Sequence, residues 1–240
     1  MKKIMAVISI ILFPMFVFAK EYEVKDINIK LDIRDDFIVI TRDNLENNTD
    51  LVRLNISKEY MEKLMDEKNV YLDIIKNDVS YEILVVVPKT ELKLYNMDNF
   101  TDEMLNDYKD KIVEKNGAGL SGIYKAKHNY IYVDYYDSDS GYYMVNYYTI
   151  ANARGYNFLL QKKSEITDDE KEDLKEIIDS VSVKIFDEYK NESEEMQKNI
   201  DNYNRESFNY MNVVYGVIIG TIVGLISYAI GVNMKKKSSV

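Results

Sequence analysis

The strongest constraint on this chain is an uninterrupted apolar run near its C-terminus. From Val213 to Val232 the sequence contains no Asp, Glu, Lys, Arg, His or Pro, and Thr221 and Ser227 are its small polar residues. About 20 residues of helix span roughly 30 Å, which is the thickness of the hydrocarbon core of a bilayer. A soluble helix of this length would show a polar face. The run therefore predicts a transmembrane helix, which we assign to residues 212–234.

Three consecutive lysines set the predicted orientation of this helix. Lys235, Lys236 and Lys237 follow the apolar run directly. Lysines clustered beside a membrane span stay on the cytoplasmic side. We therefore expect residues 235–240 to form a cytoplasmic tail, and we expect a single-pass protein of the cell membrane whose preceding residues lie outside the cytoplasm.

Glycines recur every four residues inside the predicted transmembrane helix. Gly216, Gly220 and Gly224 fall on one helical face, where two helix backbones can approach closely. Such a stripe favours association with a second copy, giving a homodimer, or with the helix of a partner protein. The alternative is that glycine is simply frequent in membrane helices.

The N-terminus has the features of a secretion signal. Lys2 and Lys3 precede an apolar run that ends in Val-Phe-Ala at Ala19, and charged residues begin at Lys20. Small or aliphatic residues at these positions suit signal peptidase, so we predict that residues 1–19 are a signal peptide cleaved between Ala19 and Lys20. An uncleaved signal anchor is the alternative. Both interpretations place a folded domain, residues 20–186, outside the cytoplasm.

The charge and composition of this domain exclude several classes of function. All 41 acidic residues lie between Lys20 and Met211, whereas five of the 31 basic residues belong to the two ends, so this part has a formal charge of about −15. Such a surface repels nucleic acid, and we predict no nucleic-acid partner. The chain has no cysteine, which excludes disulfides, thiol catalysis and Cys-ligated zinc.

The outer domain shows alternating strand and helix patterns. Helices are predicted after the capping residues Ser57 and Thr101 and after Thr167, which forms a capping box with Glu170. Alternating or compact apolar runs predict strands at 27–33, 37–41, 70–75, 81–87, 130–136, 142–150, 156–161 and 181–186. Strand pairs that alternate with helices predict an α+β fold with a largely antiparallel sheet covered by helices.

Two phrases of the sequence and this order of elements resemble a known family. The phrases are YYTIANARGYNFLLQ and ITDDEKEDLKEIIDSVSV, and the resemblance spans residues 22–186. They look like the PsbP-like α/β/α sandwich family, in particular its secreted or membrane-anchored bacterial members. The resemblance implies a non-enzymatic domain that helps to assemble or stabilise membrane protein complexes. It carries over no site residue.

Residues that could carry chemistry are few, and each has a structural interpretation. The single histidine, His128, is predicted to be a turn residue. The run Asp137-Ser138-Asp139-Ser140-Gly141 offers Asp137 and Asp139 as calcium ligands, but it does not fit the EF-hand loop and is better explained as a hairpin tip. Metalloprotease, hydrolase and nucleotide-binding motifs are absent from the sequence. We predict no metal site and no cofactor.

The sequence leaves three functions open. The first is a non-enzymatic interaction or scaffolding module that binds an envelope protein. A module for an envelope glycan or small ligand is the second, and it would use the tyrosines of residues 130–148. An extracytoplasmic enzyme with carboxylate catalysis is the third. A charged stalk, residues 187–211, either helical or disordered, would hold the domain away from the bilayer.

Overall fold

The fold is built around a seven-stranded antiparallel sheet. A computed structural model of the protein describes residues 19–89, 92, 94–116 and 119–189. Its strands are β1 (Ala19–Val24), β2 (Ile29–Arg34), β3 (Phe37–Thr41), β4 (Val70–Lys76), β5 (Glu82–Val86), β6 (Leu120–Lys125), β7 (Asn129–Asp137), β8 (Tyr142–Ala151), β9 (Arg154–Lys162) and β10 (Ser182–Val183). The large sheet has the order β3-β4-β5-β9-β8-β7-β6, with every neighbouring pair antiparallel.

A second, smaller sheet contains β1, β2 and β10, in the order β1-β2-β10. Strands β2 and β3 follow each other around Asp35 and Asp36, as the sequence predicts, but they belong to different sheets and do not pair. The turn between them carries the chain from the small sheet to the edge of the large one.

Within the described residues, four α-helices cover the sheets, and local capping helps to fix where they begin. They are α1 (Thr49–Leu54), α2 (Lys58–Lys68), α3 (Asp102–Asn116) and α4 (Asp168–Ser180). Ser57 Oγ accepts the N–H of Tyr60 at 3.2 Å. At α4, Thr167 Oγ1 accepts the N–H of Glu170 at 3.4 Å, while the Glu170 carboxylate accepts the N–H of Thr167 at 2.8 Å. The predicted capping box is therefore confirmed.

Both faces of the large sheet are buried. On one face, Leu174, Ile177 and Ile178 of α4 pack with the apolar side of β2 and with side chains of β8 and β9. The opposite face is covered by α1 and α2 over β3 to β5, and by α3 over β7 and β8. The predicted α+β class, an antiparallel sheet covered by helices, is confirmed, and the small sheet is an addition to it.

The sequence patterns did not predict two edge strands, β1 and β6, or the short helix α1. Strand β1 is charged and largely exposed, and β6 contains Ser121 and Gly122, so neither shows the alternation of a half-buried strand. Helix α1 has six residues, too few for a clear periodicity. The predicted closing strand 181–186 is reduced to the two residues of β10, because Val181 still caps α4.

The predicted membrane elements fall outside the described residues. Among residues 19–89, 92, 94–116 and 119–189, no helix has the length and apolar character needed to cross a membrane. The signal segment before Ala19, the helix at 212–234 with its three glycines, and the lysine cluster 235–237 all lie beyond these ranges. Of the predicted stalk, residues Asp187–Tyr189 are described and form a single 3-10 turn.

Candidate functional site

Strand β6 forms one edge of the large sheet and leaves part of its backbone unpaired. The N–H of Ala126 donates to the His128 carbonyl at 3.1 Å, in the same register as the β6–β7 pairs, whereas the bond from the N–H of Gly119 to the Asp134 carbonyl at 3.0 Å is one position out of that register. Residues in antiparallel strands direct their backbone groups alternately toward and away from the partner. Because Ala126 is bonded toward β7, Ser121 and Ile123, which are an odd number of positions away from it, direct their N–H and C=O groups away from β7. No described backbone group pairs with them on that side.

The opposite edge of the same sheet is closed by side chains. At β3, the Val39 carbonyl accepts hydrogen bonds from the amides of Asn44 at 2.8 Å and Asn48 at 3.2 Å. The N–H of Thr41 donates to Asn44 Oδ1 at 2.9 Å. These side chains take the place of a neighbouring strand, so that β3 cannot readily accept another one.

The β6 edge has little of the protection that exposed edges usually carry. From Leu120 to Tyr124 the strand has no charged residue and no proline, and Lys125 at its end pairs with Asp102 at 2.5 Å. Leu120 is 57% exposed and Tyr136, on the neighbouring strand, is 55% exposed. The strand therefore combines unpaired backbone groups with adjacent apolar surface, which is the requirement for addition of a further strand.

Most tyrosines of β7 and β8 serve as packing residues. The ring of Tyr147 contacts those of Tyr124, Tyr130 and Tyr132 at centroid distances of 5.6, 6.3 and 5.8 Å. Such edge-on and tilted contacts stabilise a sheet. Tyr136 is exposed, and its ring lies 4.8 Å from that of Tyr143. Within the predicted aromatic binding surface, Tyr132, Tyr135 and Tyr143 are half-buried, and Tyr136 is the most accessible ring.

His128 holds two segments of the chain together. Its Nδ1 lies 2.7 Å from Asp98 Oδ2, and its Nε2 accepts the backbone N–H of Val183 at 3.1 Å. The ring is therefore a proton donor to Asp98 through Nδ1 and an acceptor through Nε2. Because both nitrogens are engaged, the histidine connects the β6–β7 turn to β10, in agreement with its prediction as a turn residue.

The Asp137 loop is the tip of the β7–β8 hairpin, as predicted. The Asp137 carboxylate accepts the backbone N–H groups of Asp139 and Ser140, each at 3.2 Å, and the Ser140 hydroxyl. Gly141, with φ of 73°, completes the turn. The carboxylate that would bind calcium in the alternative interpretation thus organises the turn itself.

Two carboxyl groups are buried on the sheet face beneath α1 and α2. Asp73 of β4 is 1% exposed and Glu82 of β5 is 5% exposed. Burial raises the pKa of both groups, and the nearby Asp73 raises the pKa of Glu82 further. Gln161 Nε2 donates to Glu82 Oε1 at 3.0 Å. Sequence analysis missed this pair, although a lone aspartate inside the apolar run VYLDII was the available signal.

A separate cluster of charges joins α4 to the turns at the edge of the sheet. Asp173 of α4 lies 2.5 Å from Arg34 and 2.8 Å from Lys76, and it accepts a hydrogen bond from Tyr81. Burial alone would raise the pKa of Asp173, but the hydrogen bonds from Lys76 and Tyr81 and the charge of Arg34 lower it below its ordinary value. The cluster is compact and satisfied, which is typical of a structural contact.

Comparison with solved structures finds similar folds, of which two are described. The chain resembles the solution structure of cyanobacterial PsbP (CyanoP) from Synechocystis sp. PCC 6803, with a TM-score of 0.41 and 8% identity over 70% of this chain and 94% of that one. A crystal structure from Bacteroides thetaiotaomicron VPI-5482 has a TM-score of 0.41 and 10% identity. It is matched over 69% of this chain and 48% of its own, so the present chain spans about half of its length.

No protein-family profile matches the chain, and no curated protein sequence does. At 8% and 10% identity, the two likenesses concern the fold and carry no information about function.

The structure describes some of the predicted site residues and not others. Ala19 and Lys20, the predicted cleavage site, are the first two residues of β1 and are exposed. The glycine stripe and the lysine cluster lie outside the described residues. The β6 edge and the buried carboxyl pair are the features that the structure adds.

Proposed function

We propose that this protein is a membrane-anchored, extracytoplasmic interaction module that binds an envelope protein by strand addition at β6. The observation that supports this proposal is the difference between the two edges of the large sheet. Asn44 and Asn48 close the β3 edge, whereas the outward groups of Ser121 and Ile123 on β6 have no described backbone partner. An added strand would satisfy those groups with main-chain hydrogen bonds.

The charge of the domain indicates the chemistry of the partner. The region from Lys20 to Met211 has a formal charge of about −15, so a segment with a net positive charge is favoured over an acidic one. The uncharged stretch from Leu120 to Tyr124 suits an extended segment with uncharged residues at its centre. The proposed partner is therefore an envelope protein with an extended, basic segment, and the module itself is non-enzymatic.

Site-specific photocrosslinking in the native membrane tests this proposal. A photoreactive residue replaces Leu120 beside the β6 edge, and the matched control replaces Val52, an exposed apolar residue of α1 that is 83% accessible. We expect a discrete crosslinked protein from position 120 and none from position 52. Equal crosslinking at both positions, or none at position 120, would overturn the proposal.

A proline variant tests the strand-addition geometry directly. Ser121→Pro removes an outward N–H without breaking a hydrogen bond to β7, whereas Ser121→Ala keeps that N–H. We expect the yield of the crosslinked product at position 120 to fall about tenfold in the proline variant. Proline removes one interstrand hydrogen bond and blocks the approach of an added strand. The alanine variant should crosslink like the wild type. A crosslink that survives Ser121→Pro would show that the partner binds elsewhere.

Glycan binding is a second candidate, supported by exposed Tyr136 and the half-buried Tyr143 beside it. Their ring centroids are 4.8 Å apart at an interplanar angle of 47°, and exposed aromatic rings can pack against sugar rings. Pull-down with purified cell wall tests it. Retention that is lost in a Tyr136→Ala variant and kept in Val52→Ala would support glycan binding, and absence of retention in the wild type would exclude it.

A further inference from the structure

A cavity of about 290 Å³ lies against the small sheet. Its polar and charged lining comes from β1, the turn after β1, strand β2 and the β10 segment: Glu23, Lys25, Asn28, Lys30, Ser182 and Lys184. None of these residues belongs to the large sheet, so the cavity is separate from the β6 edge. Its volume suits a small ligand, because ligand pockets usually measure about 300–1,000 Å³.

The backbone of Asn28 brings two lysines to this cavity. Its N–H donates to the Lys25 carbonyl at 3.1 Å, and its carbonyl accepts the N–H of Lys184 at 3.0 Å. Asn28 has φ of 55°, a left-handed conformation in which asparagine is enriched. Lys25 and Lys184 are therefore held at the same place by main-chain hydrogen bonds, although they are far apart in the sequence.

The third lysine of the cavity, Lys30, is compensated by carboxylates of its own sheet. In the register of the small sheet, Lys30 of β2 is opposite Glu23 of β1 on one side and Ser182 of β10 on the other. Its Nζ lies 3.3 Å from a Glu21 carboxylate oxygen and 3.9 Å from one of Glu23. The positive charge available to a ligand therefore comes from Lys25 and Lys184.

Lys25 and Lys184 lack such compensation. Within the part of the chain that the structure describes, neither ammonium group forms an ion pair or a hydrogen bond with the protein. The Ser182 hydroxyl and the side-chain amide of Asn28 also have no hydrogen-bond partner in that part. Four groups that can donate hydrogen bonds, two of them positively charged, thus line one cavity without being used by the fold.

Uncompensated lysines are notable in so acidic a domain. The region from Lys20 to Met211 has a formal charge of about −15, so carboxylate partners are plentiful. Other lysines use them, since Lys162 lies 2.6 Å from Glu170 and Lys171 lies 2.6 Å from Asp134. An anion that enters the cavity would supply the partner that the two lysines there do not find in the protein.

We propose that this cavity binds a phosphoryl group, with Lys25 and Lys184 as its charged contacts and Ser182 and Asn28 as hydrogen-bond donors. A phosphate monoester carries about −1.5 to −2 charge at neutral pH, which matches the two uncompensated lysines. Its three acceptor oxygens accept several donors at once, and lysine is a common phosphate-binding residue.

The phosphoryl group has two possible sources, a soluble phosphate compound or a lipid headgroup. The second follows from the position of Lys184, which precedes the predicted stalk and membrane helix in the sequence. Both sources present the same phosphate oxygens to the same lysines. The site goes beyond the proposed strand addition at β6 and does not depend on it.

Thermal unfolding of the full chain in a neutral detergent tests the site and distinguishes the sources. One arm adds inorganic phosphate, with KCl at matched ionic strength as its control. The other arm mixes phosphatidic acid into the micelles, with phosphatidylcholine as its control. We expect a rise in Tm of several degrees in at least one arm, because a ligand of the folded state stabilises it.

The pattern of the two arms identifies the ligand. A rise with inorganic phosphate supports a soluble phosphate compound, and a rise with phosphatidic acid alone supports a lipid headgroup. If neither phosphate nor phosphatidic acid raises the Tm above its control, the proposal is wrong.

Glutamine variants separate this site from the general stabilising effect of phosphate salts. Lys25→Gln and Lys184→Gln each remove one charge from the cavity, and each should weaken the apparent affinity about tenfold. Lys63→Gln removes the same charge from an exposed position on α2 and should respond like the wild type. A response that persists in both cavity variants, or that weakens equally in Lys63→Gln, would overturn the proposal.

Discussion

The ring of Tyr132 on β7 lies over Gly122, its partner in register on β6, so that a Cβ built on Gly122 would be 2.5 Å from Tyr132 Cε1. Glycine is therefore needed at this position for the tyrosine to pack across the strand. Gly122→Ala should destabilise the domain by about 1–3 kcal/mol, because the ring must leave its contact with Tyr147. Chemical denaturation followed by circular dichroism measures this difference.

Gly119 provides the matched control for this prediction. A Cβ on Gly119 would meet its nearest neighbour, the Asp134 carbonyl oxygen, at 3.6 Å, which is an ordinary contact. Gly119→Ala should therefore change the free energy of unfolding by less than about 0.5 kcal/mol or stabilise slightly. Equal destabilisation by the two substitutions would show that the Tyr132 contact is not the cause.

The Asp173 cluster should make stability depend on acid. Asp173 accepts hydrogen bonds from Lys76 and Tyr81 and an ion pair from Arg34, so Asp173→Asn should cost about 1–3 kcal/mol at neutral pH. The folded-state pKa of Asp173 is lowered below its ordinary 3.8. The stabilisation is therefore complete above the ordinary value of 3.8, which holds in the unfolded chain, and is lost as the pH falls from there through the lower folded-state pKa.

Unfolding free energies measured from pH 7 down to pH 2 check this prediction. The wild type should lose stability steeply below about pH 4, and the Asp173→Asn curve should be flatter in that range. Exposed Asp169, in the first turn of the same helix, is the control, because Asp169→Asn should leave the acid limb nearly unchanged. If the stability of the wild type and of Asp173→Asn fell in parallel with pH, Asp173 would not be the cause of the acid dependence.

The His128 bridge should stabilise the end of the fold near β10. His128→Ala leaves the Val183 N–H without its partner and removes the contact to Asp98 Oδ2, although Asp98 Oδ1 still accepts the Asn129 N–H, and we expect a loss of about 1–3 kcal/mol. Hydrogen exchange should increase at Val183 and less elsewhere. Lys127→Ala, in the same turn, removes an exposed hydrogen bond from its Nζ to the Ser180 carbonyl at 3.0 Å and should leave exchange at Val183 unchanged. Unchanged exchange at Val183 would contradict a bridging role.

The elements that the sequence predicts correctly are those whose signals are local. The capping box of Thr167 and Glu170 and the compact apolar strands at 70–75 and 142–150 depend on neighbours in the chain, and the structure confirms them. Strand β6 was missed because an edge strand needs no buried alternating face. Its importance comes from where it lies in the sheet, which depends on pairings between distant segments.

The contacts among the charged residues of the interior could not be predicted from their spacing in the sequence. Arg34, Lys76 and Asp173 come together from positions far apart in the sequence, and no motif links them. Asp73 and Glu82 pair because β4 and β5 are adjacent in a particular register. A shift of that register by one residue would turn Asp73 to the opposite face of the sheet. Only the tertiary arrangement separates these residues from the acidic background of the chain.

The predicted membrane helix leads to a test that does not depend on the outer domain. Gly216, Gly220 and Gly224 would lie on one face of that helix, where glycine permits close backbone contact. Gly220→Ile places a branched side chain in the centre of the contact and should reduce self-association in a membrane two-hybrid assay to background. Ala229, on the opposite face of the helix, is the control, and Ala229→Ile should associate like the wild type. If Gly220→Ile associates normally, the stripe is not an interface, and clustering of the outer domains would have to come from β6.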